Sequence, residues 1–423
     1  MANIRKSLLQ FVFAGSYMKR WNDKLRPMEF IEADKQAHKM IVAWLLCRLN
    51  GGPDAASRLA LEQEVVERSM FDYFFRLVIT DIKPPVYYRI KRNPADYAEL
   101  AAWAIDELEP LLRPLDPDGA GFWARLAEHV REPDKTDLPA KILDAAHNYA
   151  SSWELAILSS MNSFDPEMPE IKKDFQRKLA ARKDLNGMDE LMGSPDMDVS
   201  APPTSALGGI AKLCGQLRFQ KRWSQTPRIP ETSVMGHMHM VACYTYFFSL
   251  AVGACPARLV NNFFCGLFHD LPELLTRDII SPVKKSVDNL SGLIRNYENE
   301  EMERRIFKPL CLEGHQALAD RLAYYLGLDL DSEFRECIAR DGKTEAVSFD
   351  ELQSVYNHDA YDPKDGSLIK ICDNLAAFIE AYTAMRNGIS SDQLYQGIWR
   401  IRTQNAKLSI GGIHVGSLLA DFD

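Results

Sequence analysis

Four short landmarks occur twice along the 423 residues, in the same order. Lys19-Arg20-Trp21 returns as Lys221-Arg222-Trp223. Glu32, His38 and Val42-Ala43 return with unchanged spacing as Glu231, His237 and Val241-Ala242. Asp81-Ile82 and Pro85-Val86 return as Asp278-Ile279 and Pro282-Val283, and Lys141-Ile142-x-Asp144 as Lys370-Ile371-x-Asp373. The offsets are 202, 199, 197 and 229, so the second run carries about 32 extra residues between its third and fourth landmarks. One such pair is an easy coincidence and four in order are not, so the chain is constrained to two related units. Leu185 to Gly209, with Gly187, Gly193, Pro195, Pro202 and Pro203 among clustered Asp and Ser, reads as the connection. The expected division is residues 1–184, a linker at 185–205, and residues 206–423.

Within the units, apolar and charged residues mix at spacings of three and four, as from Ala98 to Glu109 and from Gly292 to Phe307. Alternating runs bounded by tight-turn residues are scarce, so the expected fold is all-α, two related helical bundles forming a pseudo-dimer in one chain. The 50 basic and 59 acidic residues give a net charge of −9, which offers no general field for a nucleic-acid polymer. Eight cysteines without a CxxC pair read as reduced thiols in a cytoplasmic protein. The uncharged run Met240 to Ala257 contains Thr245, Ser249, Gly253 and Pro256 and follows His237 and His239. It reads as a buried core helix and not as a membrane span. At the amino terminus, Arg5 and Lys6 precede a short apolar stretch from Leu8 to Gly15 with no small-x-small cleavage site, and this segment is expected to stay on the mature protein.

The chemistry is concentrated in the second unit. Leu267, Phe268, Leu271, Leu274 and Leu275 give the segment around His269-Asp270 an apolar face at helical spacing. Glu273, three residues after Asp270 and four after His269, would face the same cavity, and Pro272 marks a helix start or a kink. His237 opens one apolar helix, His269-Asp270 lies in the next, and Asp373 sits in the apolar run from Leu368 to Ala376. Two imidazoles and two carboxylates converging from three helices suit a divalent transition metal with positions left open for water. His239, His315, His358 and His414 have no such set of partners.

This H…HD…D order resembles the HD superfamily of metal-dependent phosphohydrolases. The stretch from His269 to Lys284 is similar to the HD-x-x-E-x-x-T-x-D-x-x-x-P-V-K signature of the bacterial 5′-deoxynucleotidase family, as are Arg222-Trp223 and the region from Glu231 to His237. The likeness covers about residues 206 to 385 and departs at Gly236, where that family usually has Glu, and at Arg277, where it usually has Gly. The resemblance implies metal ligation by His237, His269, Asp270 and Asp373. It further implies that Glu273 acts on the attacking water or the leaving group, that Arg222 and Lys284 bind phosphate, that Trp223 packs on the sugar, and that Asp278 organises the nucleotide end. The cofactor would be a divalent ion such as manganese, cobalt, magnesium, iron, nickel or zinc. The substrate would be a small nucleotide, foremost a deoxynucleoside 5′-monophosphate. Related readings are action on a triphosphate, a cyclic nucleotide or an alarmone, or a silent nucleotide sensor with a structural metal.

In the first unit, Arg20-Trp21, His38 and Asp144 persist, but the places of His269, Asp270 and Glu273 fall to Asp72, Tyr73 and Arg76. No metal and no catalysis are expected there.

Overall fold

The computed structural model describes residues 3–116, 119, 121–277 and 290–423. Among them helices dominate, and the strands form three two-stranded antiparallel pairs. The chain opens with α1 (Lys6–Phe13), a 3-10 turn (Ala14–Ser16) and the hairpin β1 (Lys19–Arg20) and β2 (Phe30–Ile31). The helices α2 (Glu32–Asn50), α3 (Ala55–Ile79), α4 (Pro84–Arg92), α5 (Pro94–Leu112), α6 (Phe122–Arg131) and α7 (Leu138–Leu158) follow. After α8 (Glu167–Ala180) and α9 (Met188–Met192) comes a similar run: α10 (Ala206–Cys214), a 3-10 turn (Gly215–Phe219), a bridge between Lys221 and Ser233, then α11 (Val234–Ala251) and α12 (Pro256–Phe268). The short α13 (Glu273–Thr276) ends this run, and the long helix Gly366–Arg386 comes later in the chain.

Local sequence explains where these helices begin. Asp54, Asp137, Ser205 and Ser233 each accept a backbone N–H of the first turn that follows them, satisfying a donor the helix cannot. Pro256 opens α12, where its missing N–H costs nothing. From Val234 to Ser249 every residue of α11 is buried, as expected of a helix apolar on all sides. It packs against α2, α12 and the helix Gly366–Arg386, and so stands at the centre of the molecule. The run from Met240 is core helix only as far as Ala251, since Gly253 and Pro256 are exposed where the chain turns into α12, and no described helix is long and apolar enough to cross a membrane.

One apolar core runs through both halves. Trp44 of α2 meets Phe268 of α12 edge-on at 4.9 Å. Buried polar contacts cross the same boundary: Tyr244 donates to the Leu9 carbonyl at 2.7 Å, Tyr246 to Glu67 at 2.6 Å, and Arg218 to Glu154 at 2.9 Å. The stretch expected to be a linker belongs to this core as well. Leu185, Met188, Leu191, Met192 and Met197 are buried in it, and α9 lies within the stretch. Its Gly and Pro residues do make turns, but an apolar side chain every few positions fastens those turns down. The additional residues of the second half include the helices Leu290–Met302 and Gln316–Leu326 and the hairpin Cys337–Arg340 with Lys343–Ala346.

Candidate metal centre

The site is built from the packing of α11 on α12. Ser233 caps α11 and places His237 in its first turn. Gly266 lets α12 come close, since a Cβ there would stand 3.0 Å from Ala242 Cα and from Thr245 Oγ1. This approach brings the rings of His237 and His269 to 5.5 Å, centroid to centroid. The segment expected to continue as one helix through Glu273 does not. Helix α12 stops at Phe268, and His269 to Pro272 form a turn in which the Leu271 N–H bonds to the Phe268 carbonyl at 2.8 Å. Pro272 then precedes α13, where its ring fits, with Glu273 as the first helical residue and largely buried. The turn, and not a helix face, presents His269 and Asp270.

His237, His269 and Asp270 offer donor atoms that all lie within 4.8 Å of one another. His237 Nε2 is 3.7 Å and His269 Nε2 3.3 Å from Asp270 Oδ2. Asp373 arrives from the helix Gly366–Arg386 with Oδ1 at 3.0 Å from His237 Nε2 and 3.9 Å from His269 Nε2, while Lys370 holds its other oxygen at 2.7 Å. The four expected ligands thus come together from three parts of the chain.

The donor set fits a divalent cation. His269 Nδ1 is 2.8 Å from the Gly266 carbonyl, so it carries the proton, and the buried Nε2 has no hydrogen-bond partner. In the neutral ring that atom is a bare lone pair aimed at two carboxylates, an arrangement a cation resolves. Without one, a proton serves: burial opposes charging His269, but Asp270, Asp373 and the Gly266 carbonyl together outweigh it and push the pKa up to about 9. Burial likewise opposes ionising Asp270, yet His269, His237 and Arg222 hold it well below the usual carboxylate range.

Behind the ligands stands Glu380, which the sequence reading did not single out. Fully buried, it accepts from Trp223 Nε1 at 2.9 Å, Thr232 Oγ1 at 2.9 Å and Arg222 Nε at 3.2 Å, and stands 3.5 Å from His237 Nδ1. A carboxylate on the far nitrogen of a ligating histidine fixes its orientation and raises its basicity. Glu380 follows Asp373 by seven residues, two helical turns on, which was the one available signal. Arg222 also reaches Asp270 Oδ2 at 3.2 Å, so it bridges Glu380 and the candidate ligands. Trp223 adopts a positive φ of 56° and packs on Gly397, where a Cβ would come within 2.7 Å of its ring. Asp278 and Lys284 lie outside the described residues.

Both departures from the resembled signature have a structural setting. A Cβ on Gly236 would stand 2.8 Å from Asp34 Oδ1, and that carboxylate bonds Ser233 Oγ at 2.5 Å. The first half therefore fills the space a larger side chain would need. Arg277 has φ +69°, a conformation that favours glycine.

In the first half, the residues transferred from the repeat do not assemble. His38 is buried between the Ala211 carbonyl, 2.9 Å from Nε2, and Arg218, 3.0 Å from Nδ1. Asp144 pairs with Arg182 at 2.8 Å, and Arg76 with Asp81 at 2.6 Å. The hairpins give a different register. Lys19 pairs with Ile31 and Lys221 with Ser233, an offset of 202, which sets Lys35 against His237. Arg20 and Trp21 both bond Glu154, as Arg222 and Trp223 bond Glu380, an offset of 226 that sets His147 against Asp373. These registers fall three residues, nearly one helical turn, from His38 and Asp144, and so keep to the same helix face.

No curated protein and no solved structure matches the chain. Residues 214–402, which contain Arg222, Glu380 and all four candidate ligands, match the model of a family described as an HD domain, and the helical build of the second half is consistent with an HD-type fold.

Proposed function

We propose that the second half hydrolyses the phosphomonoester of a nucleotide, foremost a deoxynucleoside 5′-monophosphate. The observation that carries this reading is the convergence of His237, His269, Asp270 and Asp373 with a buried lone pair on His269 Nε2. A bound divalent cation supplies a water of lowered pKa and neutralises charge on the phosphoryl oxygens. His237 is steadied by Glu380, and Arg222 brings a cation beside Asp270 where a phosphate oxygen would lie. Glu273, buried beside the turn, is the group to move a proton to or from the reacting oxygens. Asp278 and Lys284 keep their expected roles at the nucleotide end.

The test is phosphate release from a panel of deoxynucleoside 5′-monophosphates with manganese or cobalt. Asp270→Ala should abolish metal uptake and turnover together, and turnover that survives the substitution refutes the reading. Free phosphate, pyrophosphate and triphosphate among the products separate monoester hydrolysis from action on a triphosphate or an alarmone. A second reading, a nucleotide sensor with a structural metal, is favoured by the engagement of Arg222 with two carboxylates. Nucleotide binding without turnover under several metals would support it.

Residues 1–184 are, on the same proposal, an inactive relative of the second half, so that one chain buries what would otherwise be a dimer interface. The parallel order of elements, the matching positive φ of 56° at Trp21 and Trp223, and the two Arg-Trp-Glu clusters support it. A solved structure whose halves fail to superpose in the 202 and 226 registers would overturn it.

A further inference from the structure

The register set by the hairpins and the two buried glutamates puts Lys35 and His147 where the second half has His237 and Asp373. Lys35 Nζ lies 2.9 Å from His147 Nδ1, while the nearest carboxylate oxygen, of Glu32, is 3.8 Å away, beyond hydrogen-bond reach. One turn along the same face of α2, Lys39 reaches a single carboxylate, Asp72, at 3.3 Å, and Asp72 is shared with His129 at 2.8 Å. Both lysine side chains are almost wholly buried, 3% and 2% exposed. Arg20 stands beside them, held on Glu32 at 2.8 Å and on Glu154 at 2.9 Å. The cluster is recessed but not sealed, because His147 is exposed and the side chains of Asp72 and Arg76 are 46% and 23% exposed.

A lysine and an imidazole here take the places of an imidazole and a carboxylate in the second half. The second half gathers imidazoles and carboxylates, a set suited to a metal cation. The first half sets two buried ammonium groups one helical turn apart, each short of acceptors for its three N–H donors. Burying like charges side by side is costly unless an anion lies between them. Burial pushes Lys35 down to about 7, with Glu32 opposing the fall and Arg20 and Lys39 adding to it, so an anion would draw the proton back.

We propose that the first half holds a metal-independent anion site in which Lys35 and Lys39 bind a phosphate group, the tetrahedral dianion of a phosphomonoester. The site stands on the geometry of this cluster and does not require the second half to turn over substrate. It makes the first half a place where a phosphorylated small molecule is bound and kept intact.

The test uses the whole chain stripped of metal by a chelator and dialysed into low salt. Titration with inorganic phosphate by calorimetry should show one saturable site, and phosphate should raise the melting temperature of the metal-free protein. Lys35→Met and Lys39→Met should each weaken binding about tenfold or more. The double variant should bind no phosphate yet still take up manganese with the stoichiometry of the unaltered chain. Asp270→Ala should leave phosphate binding of the metal-free protein intact. If the lysine variants do not fold, the unaltered chain with isotope-labelled lysine serves instead, since the Nζ signals of Lys35 and Lys39 should shift on adding phosphate. Absence of a phosphate site in the metal-free chain overturns the proposal, as does binding lost in Asp270→Ala but kept in the double lysine variant. So does a shift confined to Lys370.

Discussion

Replacing Glu380 by glutamine tests whether the buried carboxylate tunes the candidate centre. The substitution keeps the shape and removes the charge that Arg222, Trp223, Thr232 and His237 share. Arg222 keeps Asp270 at 3.2 Å, so its guanidinium is not left bare, but the acceptor 3.5 Å from His237 Nδ1 loses its charge. Loss of such an outer partner typically weakens metal binding about 10- to 100-fold, equivalent to roughly 1.4–2.8 kcal/mol. Stability should fall as well. Burial disfavours the Glu380 carboxylate, yet Arg222 and His237 hold its pKa well below the usual range, and breaking a buried pair on one side costs about 3–5 kcal/mol. Glutamine, which still accepts a hydrogen bond from Trp223, should lose less than Glu380→Ala. Manganese affinity by calorimetry and urea unfolding of the metal-free protein read the two effects separately. Manganese binding by Glu380→Gln as tight as in the unaltered chain, with the fold intact, would refute the role given to Glu380 in orienting His237.

Three further outcomes follow from the same packing. Gly266→Ala should destabilise the fold by about 1–3 kcal/mol and weaken manganese uptake, because the new methyl meets the α11 backbone; urea unfolding with unchanged stability would count against the close approach. Arg258 and Asp365 form a fully buried pair at 2.6 and 2.7 Å just ahead of the helix that carries Asp373, so Arg258→Met should cost about 3–5 kcal/mol by urea unfolding, and a loss below about 1 kcal/mol would contradict it. Lys35, held near 7 when folded, is fully costly below that pH and is relieved as pH rises toward the ordinary lysine value of about 10.4, since the unfolded chain then holds the extra proton. Stability should therefore rise across this window by up to about 1.4 kcal/mol per pH unit from this group; Lys35→Met should remove that slope, and an unchanged slope in the variant would refute it.

The four candidate ligands were legible because their chemistry demands particular side chains, and helix-forming apolar runs carried them. Glu380 was not, since a lone glutamate within Ala376 to Ala384 looks like a solvated position until the fold closes over it. Pattern also could not separate a helix from a turn at His269 to Pro272, because the apolar spacing continues through both. The repeated landmarks are visible in their order, and the contacts align the two halves in a register three residues away around His38 and Asp144. Hairpin pairing fixes that register locally and the Arg-Trp-Glu contacts fix it across more than a hundred residues, which short identical words do not report.

Glu154 holds Arg20 and Trp21 on one oxygen, and its other oxygen receives Arg218 from the opposite half. A single carboxylate thus acts as a clasp between the two halves. Undoing it would take one acceptor from two guanidinium groups and an indole at once, so a change at this one position would loosen the halves together.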